Sequence, residues 1–362
     1  MKITKISACE LDPSLISQWH LLQASNPELV NPYFNVQYTQ SVAAARDDVY
    51  VAVIEQGNEV VGFFPFQSAN NKVAEPVGGR LSDYHGIIGA AGQAWDYDAI
   101  LDACNIKVWS FDHLLASQAP REIYRKVEAV SPIMDLSGGY EAYLQQRKKS
   151  GAKRLEQFKR KARKFEREVG EIQVDVYCRN EGAFQQVIEW KNAQCRNTGV
   201  PEFLNWGWTS EMLREIWQRK SNDFAGMLTI LSVGNEIIAG HFGMRSNTVC
   251  HWWFPTYNHA YAKYSPGGIL LLKLAEAAAA EGLTSIDLGK GEDSYKPSFA
   301  TDSIPLVEGR VLRPSLRSTI HRIKTGSREF LRESSVTEPL RVSVRGAKSI
   351  VRNIRKPKAV AL

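Results

Sequence analysis

Apolar side chains recur along this chain with two periods, one typical of helices and one typical of strands. Helical spacing is found in five segments: 13–22, 155–169, 181–194, 210–218 and 266–278. Runs rich in β-branched and aromatic residues occupy five others: 49–66, 172–176, 228–245, 248–254 and 285–288. The order of these segments predicts an α/β protein with mixed sheets.

A Gly-Asn-Glu turn occurs twice between β-rich runs, first at Gly57 and again at Gly234, an offset of 177 residues. Asn and Gly suit hairpin turns in general, so such a match also arises by chance. The offset is nevertheless close to half of the chain that we expect to fold, which favours an internal duplication. We therefore predict two domains, 1–138 and 139–312, followed by a basic tail, 313–362, with the hairpins at 49–66 and 228–245 in equivalent places.

The segment 248–288 predicts a strand, a glycine turn, a helix and a second strand, an arrangement that normally requires parallel pairing of the two strands. The turn is Tyr264-Ser265-Pro266-Gly267-Gly268. Backbone N–H groups at a helix N-terminus, together with the helix dipole, form a site for phosphate. Because Pro266 has no N–H, the expected donors are Gly267, Gly268 and Ile269. A plain helix start has the same sequence pattern, so a purely structural turn is the alternative.

Several motifs in the second half occur together in this order: His251-Trp252-Trp253, then Tyr257, Tyr261, Tyr264-Ser265-Pro266-Gly267, Asp287-Leu288-Gly289-Lys290-Gly291 and Tyr295-Lys296. With Glu189-Trp190-Lys191 and the basic helix before it, this run resembles the acetyltransferase domain of CelD-type cellulose-biosynthesis proteins. That GNAT family is related to the Fem-type peptidyltransferases. The resemblance covers roughly residues 141–299 well and the first 135 residues only in outline.

The resemblance implies tandem GNAT-like acyltransferase domains, an acyl-CoA such as acetyl-CoA as co-substrate, and an acceptor that belongs to an extracellular polysaccharide or the cell envelope. From the position of the glycine turn at the start of the helix, we expect the donor to be contacted by Tyr264, Ser265, Gly267, Gly268 and Ile269. One feature departs from the family pattern: a turn that contains Pro266 replaces the usual Arg/Gln-x-x-Gly-x-Gly/Ala loop.

Direct acyl transfer to an amine or hydroxyl needs a base for the acceptor proton and a proton donor for the departing thiolate. His251 or Asp287 is the candidate base, and Lys296 is a charge that positions the acceptor. Tyr295 is the candidate proton donor, with Tyr257 as the alternative. The structural alternatives are a strand-end cap or ion pair for Asp287 and a core aromatic for Tyr295. We expect catalysis in the second domain, where strand 248–255 parts from strand 284–288, and a non-catalytic first domain.

Composition narrows the class of protein. Of the 362 residues, 44% are hydrophobic and 23% are charged, which is typical of a folded globular chain. No apolar run is long enough to span a bilayer, and the N-terminus has no signal-peptide pattern, so we expect a cytoplasmic protein. The five cysteines are scattered and the seven histidines form no ligand motif, which argues against a disulfide framework and a metal site.

The net charge of +6 is unevenly distributed. Residues 313–362 hold 13 basic and 3 acidic groups, and residues 145–168 hold 11 and 3. An amphipathic pattern around Ile350 makes the tail a candidate for peripheral contact with the anionic inner face of a membrane, with a solvated tail as the alternative.

Three functions are therefore weighed. The first is acyl-CoA-dependent N- or O-acyl transfer to a sugar, amino-sugar or envelope precursor. The second is a Fem-like transferase that uses aminoacyl-tRNA, because segment 145–168 is basic enough to follow phosphates. That segment lacks interleaved exposed aromatics, so we rank nucleic acid below a small-molecule or glycan-precursor acceptor. The third is a non-catalytic scaffold of a polysaccharide-export system.

Overall fold

A computed structural model describes residues 1–199, 201–291 and 293–313. The strands within these ranges are β1 (Lys2–Ser7), β2 (Val49–Gln56), β3 (Glu59–Gln67), β4 (Val73–Ala74), β5 (Ile88–Gly89), β6 (Val108–Leu115), β7 (Tyr124–Asp135), β8 (Gln173–Asp175), β9 (Ala225–Val233), β10 (Glu236–Arg245), β11 (Val249–Tyr257), β12 (Ser285–Asp287) and β13 (Asp302–Leu312). The α-helices are α1 (Pro13–Ala24), α2 (Val36–Ala45), α3 (Tyr97–Ala103), α4 (Tyr140–Lys149), α5 (Lys153–Glu168), α6 (Glu181–Thr198), α7 (Gly207–Gln218), α8 (Pro266–Ala280) and α9 (Lys296–Phe299).

The strands form two sheets. Four of them make an antiparallel sheet in the order β1-β2-β3-β5. Nine make a second sheet in the order β4-β6-β13-β7-β12-β11-β10-β9-β8, in which the pairs β4/β6 and β11/β12 are parallel. The predicted α/β class with mixed sheets is therefore confirmed.

The central pair of the larger sheet, β11 and β12, is short. The two strands pair in parallel from Val249–Ser285 to His251–Asp287, as the strand–helix–strand pattern predicted. Strand β12 then ends, whereas β11 continues to Tyr257. The strands part directly after His251, so the β12-facing edge of β11 beyond that residue is free of this partner.

Strands from the first half of the sequence complete the larger sheet. β7 pairs antiparallel with both β12 and β13, and it ends three residues before the predicted domain boundary at residue 138. Residues Met1–Val311 cluster as one unit. The predicted hairpins are present as β2/β3 and β9/β10, and the duplication that would relate them stays a prediction.

Helix α5 begins at Lys153 and packs its narrow apolar stripe against α8. Leu155, Phe158 and Phe165 are buried on that stripe, whereas most of its basic side chains lie at the surface. The amphipathic pattern around Ile350 lies outside the described residues. Among the helices that the structure does describe, none combines the length and apolar character that crossing a bilayer requires.

Candidate active site

His251 lies between two carboxylates at the last position of β11 that pairs with β12. Its side chain is fully buried, and its Nε2 atom is 2.8 Å from Oδ2 of Asp83. On the other side of the ring, Nδ1 is 3.5 Å from Oδ1 of Asp287, the residue that faces His251 in the β11–β12 register. Two predicted residues, His251 and Asp287, are thus brought together, and Asp83 from the first half joins them. These three residues are called the His251 centre below.

The carboxylate of Asp287 is enclosed by hydrogen-bond donors. Oδ2 accepts from the Tyr84 hydroxyl at 2.6 Å and from the Asn31 amide at 3.2 Å. Oδ1 accepts from the Ser131 hydroxyl at 2.6 Å and from the Gly289 N–H at 2.8 Å. These donors fix the orientation of Asp287, and its side chain is 0% exposed, which keeps it away from solvent and from any acceptor.

Asp83 differs from its partners because its side chain reaches the surface, with 24% of it exposed. Burial by itself would raise the pKa of Asp83. The hydrogen bond and charge of His251, together with the charge of His113, outweigh this effect and hold the pKa below its ordinary value. The sequence offered no signal for the pair, since Asp83 and His251 are 168 positions apart.

Tyr295 lies on the opposite side of β11 from His251. Its hydroxyl accepts a hydrogen bond from Nε1 of Trp252 at 3.2 Å, and consecutive residues of a strand point to opposite faces. Burial raises the pKa of Tyr295 to about 12, so the phenol stays protonated at neutral pH and can donate. The predicted proton donor and the His251 centre therefore flank the strand at the point where β11 parts from β12.

Lys296 closes the loop that follows β12. Its Nζ donates to the carbonyls of Gly289 at 3.1 Å and Lys290 at 3.2 Å, and it pairs with Asp293 at 3.0 Å. The side chain is almost fully buried, so its charge is committed to this loop. Because the Gly289 N–H bonds to Asp287, Lys296 also holds the loop against the His251 centre.

A second cationic side chain lies near the site. Lys191, from the Glu-Trp-Lys motif on α6, feels the charges of Asp83, Asp293 and Lys296. Burial lowers its pKa from the ordinary lysine value, with the neighbouring cation Lys296 contributing in the same direction. The sequence placed Lys191 in the resemblance but assigned it no role.

The predicted phosphate turn begins α8. Ser265 adopts a left-handed conformation with φ 58°, and its carbonyl accepts from the N–H groups of Gly268 at 3.1 Å and Ile269 at 3.3 Å. Two of the three predicted N–H donors are thus already bonded within the first turn of the helix. The N–H of Gly267 is the remaining candidate donor to an anion. The Ser265 hydroxyl accepts from Nζ of Lys161 on α5 at 2.7 Å, which brings a positive charge to the same helix end.

The remaining residues of the turn have packing roles. A Cβ atom at Gly268 would lie 2.4 Å from the ring of Phe158, so this glycine permits the close approach of α5 and α8. A Cβ atom at Gly267 would meet only Tyr257, at 3.7 Å, an ordinary contact. Tyr264 is buried and donates its hydroxyl hydrogen to Glu168 at 2.7 Å.

Together these features suit a thioester donor with a phosphate group. The free edge of β11 can pair with an extended amide chain, and the N-terminus of α8 with Lys161 can bind its phosphates. The gap that opens between β11 and β12 after His251 is flanked by the Tyr295 phenol on one side and the His251 centre on the other. In the described part of the chain, no group of three or more His, Cys, Asp or Glu side chains is arranged to bind a metal.

Comparison with known proteins adds a domain match. Residues 152–297 match the model of the acetyltransferase (GNAT) domain family, a segment that contains α5, β11, α8, β12 and the loop of Lys296. A search of curated protein sequences found no match.

Three solved structures share the fold at low identity. The C-terminal domain (DUF2156) of a putative lysylphosphatidylglycerol synthetase from Agrobacterium fabrum is 10% identical, covers 87% of this chain and 96% of its own, and has a TM-score of 0.53. FemX is 9% identical, covers 86% of this chain and 96% of its own, and has a TM-score of 0.55. A tandem GNAT protein from the clavulanic acid biosynthesis pathway is 9% identical, covers 87% of this chain and 99% of its own, and has a TM-score of 0.50. At these identities the likeness shows a shared fold, and the GNAT domain match is the one at residues 152–297.

Proposed function

We propose that this acyltransferase, whose residues 152–297 match the GNAT acetyltransferase domain, takes its acyl group from acyl-CoA. The acceptor in this proposal is an amine or hydroxyl of a sugar, an amino-sugar or a cell-envelope precursor. The observation that carries the proposal is the parting of β11 and β12 directly after the buried His251, with the N-terminus of α8 following at the far end of β11.

The donor would lie along the free edge of β11. Its amide groups would pair with that edge, and its pyrophosphate would meet the N–H of Gly267 and the ammonium of Lys161. The thioester carbon would then lie where the strands part, near His251. Holding the thioester and the acceptor in one place supplies a large share of the rate enhancement of an acyltransferase.

The chemistry at that point requires two proton transfers. The acceptor nitrogen or oxygen attacks the thioester carbon, and its proton passes to the His251 centre. The departing sulfur takes a proton from the Tyr295 phenol, which is protonated at neutral pH. The acceptor class rests on the resemblance of the His251–Lys296 motifs to the CelD-type domain.

A second candidate donor is aminoacyl-tRNA. The observation that favours it is the position of α5, whose dense basic face adjoins the N-terminus of α8 through Lys161. A nucleic-acid donor would make binding strongly dependent on salt, because several phosphates would be neutralised at once.

One experiment separates the two donors. The purified full-length protein is incubated with acetyl-CoA and a panel of amino-sugars and nucleotide-activated amino-sugars, and the released CoA thiol and the acetylated product are measured. Acyl-CoA dependence predicts thiol release that needs both the protein and an acceptor. Absence of thiol release, combined with salt-sensitive binding of aminoacyl-tRNA in a filter assay, would replace this proposal with the second one.

A further inference from the structure

The three members of the His251 centre differ in access to solvent. His251 and Asp287 are fully buried, whereas 24% of the Asp83 side chain is exposed. An acceptor that approaches from solvent therefore meets Asp83 before it meets the imidazole. A group that removes a proton must come within hydrogen-bond distance of the acceptor, and in this centre Asp83 is the member placed to do so.

We infer that Asp83, from the first half of the chain, is the catalytic residue that takes the proton from the acceptor, and that His251 holds Asp83 in position by a hydrogen bond. This inference rests on the proposed function. It gives the first half a chemical role, in contrast to the non-catalytic role expected from the sequence.

Hydrogen bonding fixes Asp83 for this step. An ionised carboxylate only accepts hydrogen bonds, so Nε2 of His251 carries the hydrogen that it donates to Oδ2 of Asp83 across 2.8 Å. The proton of the acceptor therefore goes to Asp83 itself. That proton becomes more acidic as the acceptor atom bonds to the thioester carbon, so a carboxylate suffices as the base. On the other side of the ring, Asp287 lies 3.5 Å from Nδ1, and the donors around Asp287 hold it in place.

In the transfer, a bond forms between the acceptor nitrogen or oxygen and the thioester carbon, and the carbon–sulfur bond breaks. The acceptor proton goes to the Asp83 carboxylate, and the thiolate takes a proton from Tyr295. Protonated Asp83 and the tyrosinate return to their resting states by exchange with water.

Other titratable groups around Asp83 also affect how activity depends on pH. His113 on β6 has Nε2 3.7 Å from Oδ1 of Asp83 and lies 3.0 Å from Asp112. Lys191 on α6 acts at longer range, and the buried Tyr33 hydroxyl lies nearby. A pH profile therefore reports the whole group, and the effect of Asp83 must be read from the difference between variant and wild type.

The test compares the carboxylate–histidine pair of the centre with one that lies outside it. Asp83→Asn removes the proposed base, and Asp223→Asn is the control, because Asp223 lies 3.7 Å from His20 at a surface site outside the centre. With acetyl-CoA and glucosamine as substrates, we expect kcat of D83N to fall by about a hundredfold or more. The affinity for acetyl-CoA, measured by calorimetry, should stay unchanged, and D223N should behave as wild type. D83N activity within about threefold of wild type would overturn the inference.

Two further measurements keep the inference testable. Asp83→Glu retains the carboxylate and should recover part of the activity and of its pH dependence, which a purely structural Asp83 would not predict. If the wild type releases no CoA from acetyl-CoA, the acyl-CoA proposal fails, and the arrangement of Asp83 and His251 is tested by proton NMR of the His251 ring N–H. The hydrogen bond from Nε2 to Asp83 should give a downfield N–H signal in wild type, and this signal should be lost or move upfield in D83N, because the charged acceptor is gone. The same signal in both proteins would overturn the arrangement.

Discussion

Tyr84 donates its hydroxyl hydrogen to the buried carboxylate of Asp287 across 2.6 Å, although the two residues are 203 positions apart. The contact joins a loop of the first half to the strand that faces His251. The position of the Asp287 carboxylate thus depends on residues from both halves of the chain. The contribution of this contact to folding can be measured as a change in the free energy of unfolding, without an activity assay.

Tyr84→Phe should lower the free energy of unfolding by about 1.5–3 kcal/mol, because a hydrogen bond to a charged acceptor is lost in a buried place. Urea denaturation at neutral pH measures this change. The matched control is Tyr97→Phe, which removes a 2.5 Å bond from Tyr97 to the neutral backbone carbonyl of Gln118 and should cost about 0.5–1.5 kcal/mol. A Tyr84 variant no less stable than the Tyr97 variant would show that the Asp287 contact carries no special weight.

His85 should make the protein less stable in mild acid. Burial lowers its pKa to about 3, and neither ring nitrogen has a hydrogen-bond partner among the described residues. Because the unfolded chain protonates this ring near pH 6.5 and the folded chain does not, stability falls as pH drops through the window from about 6.5 to about 3. His85→Phe should reduce the slope of unfolding free energy against pH by about 1.4 kcal/mol per pH unit.

The slope is obtained from urea denaturation between about pH 6 and pH 4. His259→Gln, at an exposed site, serves as the control and should leave the slope close to that of wild type. Equal slopes for wild type and the His85 variant would mean that His85 is protonated in the folded protein.

Lys161 should contribute to donor binding through its position at the N-terminus of α8. Lys161→Met removes the charge 2.7 Å from the Ser265 hydroxyl, and we expect the affinity for acetyl-CoA to fall about tenfold, or about 1.4 kcal/mol. The control is Lys164→Met, which removes a charge from the same helix. Lys164 pairs with Glu168 at 3.7 Å, so we expect its loss to change the affinity for acetyl-CoA less. Calorimetric affinities that fall equally in both variants would indicate a general charge effect of α5.

Gly268 should matter for stability because of its place between two helices. Gly268→Ala would put a methyl group 2.4 Å from the Phe158 ring, and the forced shift of packed aromatic atoms should cost about 1–3 kcal/mol. Thermal or urea unfolding measures this cost. A Gly268→Ala variant as stable as wild type would show that α5 and α8 can separate without loss.

The sequence predicted features that depend on neighbouring residues. The helix N-terminus at Pro266 and the pairing of β11 with β12 follow from local pattern, and both are present in the structure. The sequence also placed His251 and Asp287 on the two strands of the predicted strand–helix–strand unit. Their contact across that strand pair could therefore be expected from the pattern.

Contacts between distant segments could not be predicted in this way. Three residues of the first half, each from a separate loop or strand, contact His251 or Asp287: Asp83, Asn31 and Ser131. Nothing in their local sequence predicts these partners. Phe158 likewise explains Gly268 only once α5 and α8 are packed together. Such contacts are set by the tertiary arrangement, for which a single sequence carries little local signal.

The central claim is that acyl-CoA binds at the N-terminus of α8, and the affinity for acetyl-CoA tests it most directly. Gly267→Val adds a side chain at the N–H that remains for a phosphate, and the space there accepts a Cβ atom with only an ordinary contact to Tyr257. Calorimetry should show one acetyl-CoA bound per wild-type chain and at least about tenfold weaker binding to the variant, whose unfolding curve should match that of wild type. No binding to the wild type, or equal binding to both proteins, would contradict the account.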